Sequence, residues 1–436
     1  MEPKKVLIIT YYWPPSGGSG VQRWLKFVKY LPQNGVQPHI YTPENPDFNV
    51  KDESFLKDIP KEAIVVKRKI IEPYGIHRFL VGKKKAKGAN FGNTNSSKTS
   101  TVQKLSLWVR SNIFLPDPRV LWVKPSIKYL KKYIIDNNIE TIITTGPPHS
   151  MHLIGLGLKS HFKDSIQWIT DFRDPWTKIF NKDELRIGKR ARKKLIKLEN
   201  RVIKSCDKLI TVSEFLKSEF EEMGGEGKSY AICNGFDHTD YNFSEIKKEK
   251  KYENKFVVSY IGLLPKISNP LNLWEVLGEL IKSNEELKKD LKLVFVGSMD
   301  SSIVEILDKR GLIEYCEFAG VVPHNEAVKY QKFSDLLLLL IPNVVNSKGI
   351  LTGKFFEYMA SETPILAIGD VDGDVAKILE ETETGMMVSF EEKKRLKVHL
   401  EEQHKKFKSK KNRISIKKYQ KYSRKELTKK LAKIFS

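Results

Sequence analysis

Residues 351–360 (LTGKFFEYMA) set Gly353, Lys354 and Glu357 within one helical turn. Three-residue spacing puts the ammonium and the carboxylate on one helix face. Beside the amides of a helix N-terminus, Lys354 suits a phosphate and Glu357 suits a pair of vicinal hydroxyls. A plain surface Lys–Glu pair has the same spacing. Lys266 follows Tyr260-Ile261-Gly262. There a glycine admits close backbone approach and an ammonium neutralises charge on a departing anion, although a solvated lysine reads alike. In 14–20 (PPSGGSG), Gly17 and Gly18 precede a helical pattern, which fits a tight connection as well as an anion cradle. The spacing is neither GxGxxG nor GxxxxGK[ST], which weighs against a dehydrogenase or a P-loop nucleotide site. Residues 171–176 (DFRDPW) close an apolar run with two carboxylates flanking Arg173. Such charges are paired internally or put to use, and Arg173 and Asp174 are the candidates. His149, after Gly146-Pro147-Pro148, would face the same cleft.

These positions all follow short apolar runs. In the first half the runs 6–10, 39–42, 63–67, 141–145, 167–171, 208–212 and 230–233 read as strands. Between them, Val21, Trp24, Leu25, Val28 and Leu31 mark a helix face, and 126–137 and 182–205 read as helices. A second series begins with strands at 256–261, 292–296, 316–318, 336–341, 364–368 and 386–389. Its helices are expected at 271–282, 302–309, 325–333, 354–360 and 374–381. Strand–helix alternation predicts parallel sheets covered on both faces. The expected fold class is therefore α/β, with two Rossmann-like domains facing across a cleft and ligands at the carboxyl ends of strands. The boundaries are expected at 1–240 and 250–413, with 245–255 as a charged linker. Residues 82–101 read as a polar surface loop, and 414–436 as a basic amphipathic helix with Tyr419, Leu427, Leu431 and Ile434 on its apolar side.

The chain has 436 residues, 40% of them apolar and 30% charged, which fits two ordinary soluble domains. The run 6–10 is too short for a secretory leader and 336–341 too short for a membrane span, so a cytoplasmic protein is expected. Cys206, Cys233 and Cys316 lie too far apart for a zinc motif or a disulfide framework. A net charge of +23 attracts phosphates, whether of nucleic acid, lipid headgroups or nucleotides. The cluster 83–87, Arg110 and the apolar stretch 105–115 would suit an anionic membrane surface, and equally a buried helix beside a loop. A basic nucleic-acid-binding protein is disfavoured, since no helix-turn-helix, zinc finger, RRM or KH pattern is present.

The tracts YYWPPSGGSGVQRW (11–24), CDKLITVS (206–213), NGFD (234–237), YIGLLPK (260–266), FAGVVPHNEAVKY (318–330) and GKFFEYMASETPILA (353–367) recur here in order. In them the chain resembles the retaining glycosyltransferases of family 4. That resemblance implies a GT-B fold, a nucleotide-sugar donor, and a glycan or lipid-linked acceptor in surface polysaccharide or glycoconjugate synthesis. It implies no cofactor and no metal. Gly17 and Gly18 would face the donor diphosphate from the first domain, with Gly262, Lys266, Gly353 and Lys354 holding it in the second. Glu357 would hold the ribose, and Arg173 and Asp174 would line the acceptor side with His149. The final helix would pack back on the first domain. The sequence departs from the family's E-x(7)-E motif, because Gly349 stands where the first glutamate belongs. An epimerase of nucleotide sugars shares this plan but needs no acceptor.

Overall fold

The computed structural model describes residues 2–46, 51–72, 108–109, 111–177, 187–241, 246–411, 413–415 and 418–435, apart from the Ser19 side chain. The expected loop at 82–101, the cluster 83–87 and Arg110 lie outside the described residues. The chain divides into two compact units, Met1–Ile232 with Thr428–Ser436, and Cys233–Leu427.

In the first unit, β1 (Lys4–Ile9), β2 (Val36–Pro43), β3 (Ile64–Arg68), β4 (Thr141–Gly146), β5 (Gln167–Phe172), β6 (Lys208–Thr211) and β7 (Ser229–Ala231) form one sheet. Their order is β3-β2-β1-β4-β5-β6-β7, with every neighbouring pair parallel. Parallel neighbours need crossovers. These include α1 (Ser19–Tyr30), α2 (Val120–Asp136), α3 (Ser150–Phe162), α4 (Lys189–Ser205) and α5 (Glu214–Phe220). Leu7, Ile142, Trp168 and Leu209 of the strands pack with Trp122, Met151 and Val202 of the helices in one buried cluster. Helix α2 starts six residues before its expected first turn, because Pro125 sits inside it rather than at its start.

The second unit repeats the plan with β8 (Phe256–Ile261), β9 (Leu291–Val296), β10 (Cys316–Gly320), β11 (Leu336–Leu340), β12 (Ile365–Ile368) and β13 (Gly385–Val388). Its order is β10-β9-β8-β11-β12-β13, again parallel throughout. The helices are α6 (Leu271–Ser283), α7 (Glu285–Asp290), α8 (Ser301–Lys309), α9 (His324–Phe333), α10 (Gly353–Ala360), α11 (Asp374–Thr382) and α12 (Lys393–Lys408). Strand order reverses between β1 and β4 in one sheet and between β8 and β11 in the other. Loops diverge at such points and leave a crevice at the strands' carboxyl ends.

Two expectations change. The stretch read as a linker packs onto the second unit: Tyr252 is fully buried and donates to Glu317 (2.6 Å), and Lys248 pairs with Asp335 (2.6 Å). The final segment is helical only in α13 (Arg424–Ile434). Residues up to Leu427 stay with the second unit, where Tyr419 packs edge-on to Phe236 and Phe236 bridges to Ser423. Beyond Thr428 the helix joins the first unit, where Lys208 Nζ donates to the Ile434 carbonyl (2.6 Å) and Lys4 Nζ to that of Phe435.

Candidate active site

Two glycines close the adjacent strands β8 and β9. Gly262 has φ 123° and Gly297 φ 117°, a region that disfavours any side chain. A Cβ on Gly297 would lie 2.4 Å from the Gly262 carbonyl oxygen, and one on Gly262 would lie 2.7 Å from Lys354 Nζ. The Lys354 ammonium therefore rests against the Gly262 backbone. It donates to Tyr260 Oη (3.0 Å) and sits 4.3 Å from that ring's centroid. Burial holds Lys354 down to about 8, against an opposing pull from the Glu357 charge. One turn along α10, the half-buried Glu357 carboxylate accepts from Gln331 Nε2 (3.3 Å). Tyr358 fixes the helix by accepting from the Ile261 amide (3.0 Å) and donating to the Ile261 carbonyl (3.2 Å).

At the start of α10, a Cβ on Gly353 would meet nothing within 4 Å. Protein packing does not require this glycine, and its amide stays accessible. The neighbouring Thr352 hydroxyl is buried and has no partner among the described residues. Amides, hydroxyl and ammonium at one helix start are the donor set that an anion would need. Lys266 is exposed at the start of the 3₁₀ turn Lys266–Ser268. Its charge helps hold the Asp300 carboxyl below its usual range, after the larger effect of donation from Ser302. Gly349, in the place of the expected glutamate, ends a short turn whose Ser347 hydroxyl donates to Asp370 and whose Lys348 pairs with Asp372 (2.5 Å).

In the first unit, Gly18 caps α1 at φ 85° with open space around it, and Gly17 is half-buried beside it. Asp171 is spent internally. Arg23 grips it through Nε (3.1 Å) and Nη2 (2.9 Å), and Trp24 Nε1 (2.7 Å) and Thr145 Oγ1 (2.8 Å) donate to its other oxygen. Arg173 is spent as well, donating to the carbonyls of Gly146 (3.1 Å), Gly20 (2.8 Å) and Pro147 (2.5 Å). As placed it ties its own loop to the turn after β4 and to the first turn of α1. Asp174 is the exposed carboxylate of this loop. Protein crowding raises its pKa, Arg173 opposes that rise and Asp171 adds to it. The loop is anchored by the buried Glu199, which accepts from the Trp176 amide (2.7 Å) and the Thr177 amide (3.2 Å).

His149 precedes α3 and stacks on Trp176 at 5.1 Å. Burial pushes it well below the usual histidine range, with His152 and Arg173 adding to the effect. His152 is pushed down to about 3 by burial and then Arg173. Both rings are neutral at physiological pH. Trp168 Nε1 donates to Thr144 Oγ1 (3.0 Å), and the same hydroxyl hydrogen-bonds His152 Nδ1 (2.9 Å). Sequence reading missed Arg23, His152, Glu199, Gln331 and Tyr260. Arg23 lies off the face of α1 read as apolar, where a solvated arginine is expected, and its partner is 148 residues away.

Residues 242–422 match the family model for glycosyl transferases group 1. The match covers most of the second unit, including Gly262, Lys266, Gly353, Lys354 and Glu357. Among curated proteins nothing matches. Among solved structures, a glycosyltransferase from Rickettsia africae superposes with TM-score 0.61 at 15% identity, over 100% of this chain and 98% of that one. A sucrose-phosphate synthase from Thermosynechococcus elongatus gives 0.58 at 11%, over 99% and 94%. A putative UDP-N-acetylglucosamine 2-epimerase from Listeria monocytogenes gives 0.54 at 11%, over 98% and 95%. At such identities the likeness concerns the fold, which is GT-B.

Proposed function

We propose that the protein is a retaining glycosyltransferase that moves a sugar from a nucleoside-diphosphate donor to a glycan or lipid-linked acceptor. The observation that carries this reading is the cluster of Gly262, Lys354 and Glu357 at the carboxyl edge of β8, within the segment that matches the group 1 family. Lys354 and the first amides of α10 take the diphosphate, with Lys266 reaching it from its exposed turn. Glu357 accepts from the two ribose hydroxyls. As the glycosidic bond breaks, negative charge gathers on the diphosphate, and cations already in place stabilise it more than they stabilise the ground state. In the first unit Gly17 and Gly18, at the start of α1, offer backbone amides suited to an anion. Asp174 and His149 belong to the acceptor side, with Arg173 holding their loops. The reading requires no metal and no cofactor, and places the enzyme in the cytoplasm on the inner membrane face, in glycoconjugate synthesis.

The test is a thermal-shift panel of UDP, GDP, ADP, CMP and their sugar conjugates on wild type and Glu357→Ala. Ligand at a hundred times its dissociation constant stabilises by about 2.7 kcal/mol. One nucleotide series should stabilise the wild type and not the variant. Failure of every nucleotide to stabilise, or release of nucleotide that needs no acceptor, would overturn the reading.

A further inference from the structure

A cavity of about 440 Å³ opens on the second unit at the amino ends of β12 and β13, among Pro364, Thr384 and Gly385. In a parallel sheet this is the edge opposite Gly262 and α10. The four residues of β12 separate the two edges by roughly 13 Å of strand. Two walls come from the last turns of α11 and from α12. Two side chains of α12 that line the cavity, His399 (7% exposed) and Gln403 (4%), stand four residues apart on one helix face. His399 Nε2 and Gln403 Oε1 are both buried with no partner among the described residues. Unpartnered buried polar atoms are costly, and a site that keeps two of them side by side is made to be completed by something else.

The rim has the opposite character. Lys406, Lys411, Arg413 and Lys418 line the cavity against two carboxylates, Glu380 and Glu383. Lys418 pairs with Glu383, and Arg413 Nη1 donates to Thr363 Oγ1 (2.5 Å). Among the described residues, Lys406 and Lys411 have no carboxylate partner. Burial holds His399 down to about 4, so the recess is uncharged at neutral pH while the rim is cationic. The ligand must therefore carry its charge at one end and neutral hydrogen-bonding groups at the other. Hydroxyls suit the recess, since each donates and accepts and satisfies either tautomer of the imidazole and either orientation of the amide. A bare anion accepts from these groups but leaves the Gln403 carbonyl without a donor, and an apolar molecule serves neither.

We propose that this cavity is a second ligand site, distinct from the donor cluster, for a small phosphorylated polyol. The phosphate lies between Lys406 and Lys411, and the hydroxyls reach His399 and Gln403. The occupant would touch the last turns of α11, whose first turn follows the loop bearing Asp372, the partner of Lys348. The site does not depend on the sugar-transfer reading.

Calorimetric titration of the full chain tests it, with glucose 6-phosphate, glycerol 3-phosphate, glucose and inorganic phosphate as probes. The phosphorylated polyols should bind at least about tenfold more tightly than phosphate or glucose alone. Gln403→Leu should remove most of that advantage. Lys411→Glu, at an exposed position that leaves the fold intact, should weaken the phosphorylated probes by at least about tenfold. Glu357→Ala should leave their binding unchanged. Equal binding of inorganic phosphate would reduce the site to an ion contact and overturn the proposal. So would loss of binding in Glu357→Ala, which would place the probe in the donor cluster, or no binding of either polyol at millimolar concentration.

Discussion

Lys354 keeps its proton against the pull of burial, and two opposite pH responses follow. Its folded pKa of about 8 lies below the ordinary 10.5. Between those values the unfolded chain binds more protons, so this lysine makes folding stability rise with pH over that window. On the proposed function donor binding runs the other way, because Lys354 would hold the diphosphate as the ammonium. Affinity for the preferred nucleoside diphosphate, measured by calorimetry, should hold below pH 8 and weaken as pH rises through it. Lys354→Arg should remove that dependence, since guanidinium stays charged. Glu357 makes a separate prediction. Hydrogen bonds to a charged acceptor are worth about 1.5–3 kcal/mol. The wild type should therefore prefer a ribonucleotide to its 2′-deoxy form by at least about tenfold, and Glu357→Gln should lose most of that preference. The spacing of Lys354 and Glu357 was legible in the sequence, since one helical turn fixes it. Tyr260 and Gln331 were not, because the contacts that matter come from a strand and a helix far along the chain.

Among the elements, the strands were legible because buried parallel strands are written as short apolar runs. What the runs conceal is the polar hardware between them. Arg23 and Asp171 join α1 to β5 with 2% and 0% side-chain exposure. Removing one partner leaves the other buried and uncompensated, so Asp171→Ala should cost about 3–5 kcal/mol in urea unfolding. Replacing both by apolar residues should cost much less. At the ends of β8 and β9 the constraint is steric. Gly297→Ala adds a Cβ against the Gly262 carbonyl, a rigid backbone atom, at a φ that disfavours any side chain. It should shift Gly262 away from Lys354 and lower donor affinity well over about tenfold, since an ångström of misplacement is costly at a built site. The start of α2 was misread for a simple reason. Proline reads as a helix boundary, and here the preceding residues turn helical regardless.

For the whole molecule, the sequence announced two units through its repeated strand–helix series, but not where the chain leaves one for the other. The exchange lies at 232–233 and 427–428, in tracts whose local pattern marks no boundary. The excess of cations was plain from composition. No helix among the described residues is long and apolar enough to cross a membrane, and a net charge of +23 is of the sign that anionic surfaces attract. The full chain should therefore float with vesicles rich in anionic lipid, stay behind with neutral ones, and be released by high salt. The return of Thr428–Ser436 to the first unit also has a consequence for birth on the ribosome. The seat for Leu431 and Phe435 is made first, yet its occupants emerge only after all of Cys233–Leu427 has been synthesised. At about 5–20 residues per second, that leaves the nascent first unit roughly 10–40 s without its last segment, with Lys4 and Lys208 lacking the carbonyls they later bind.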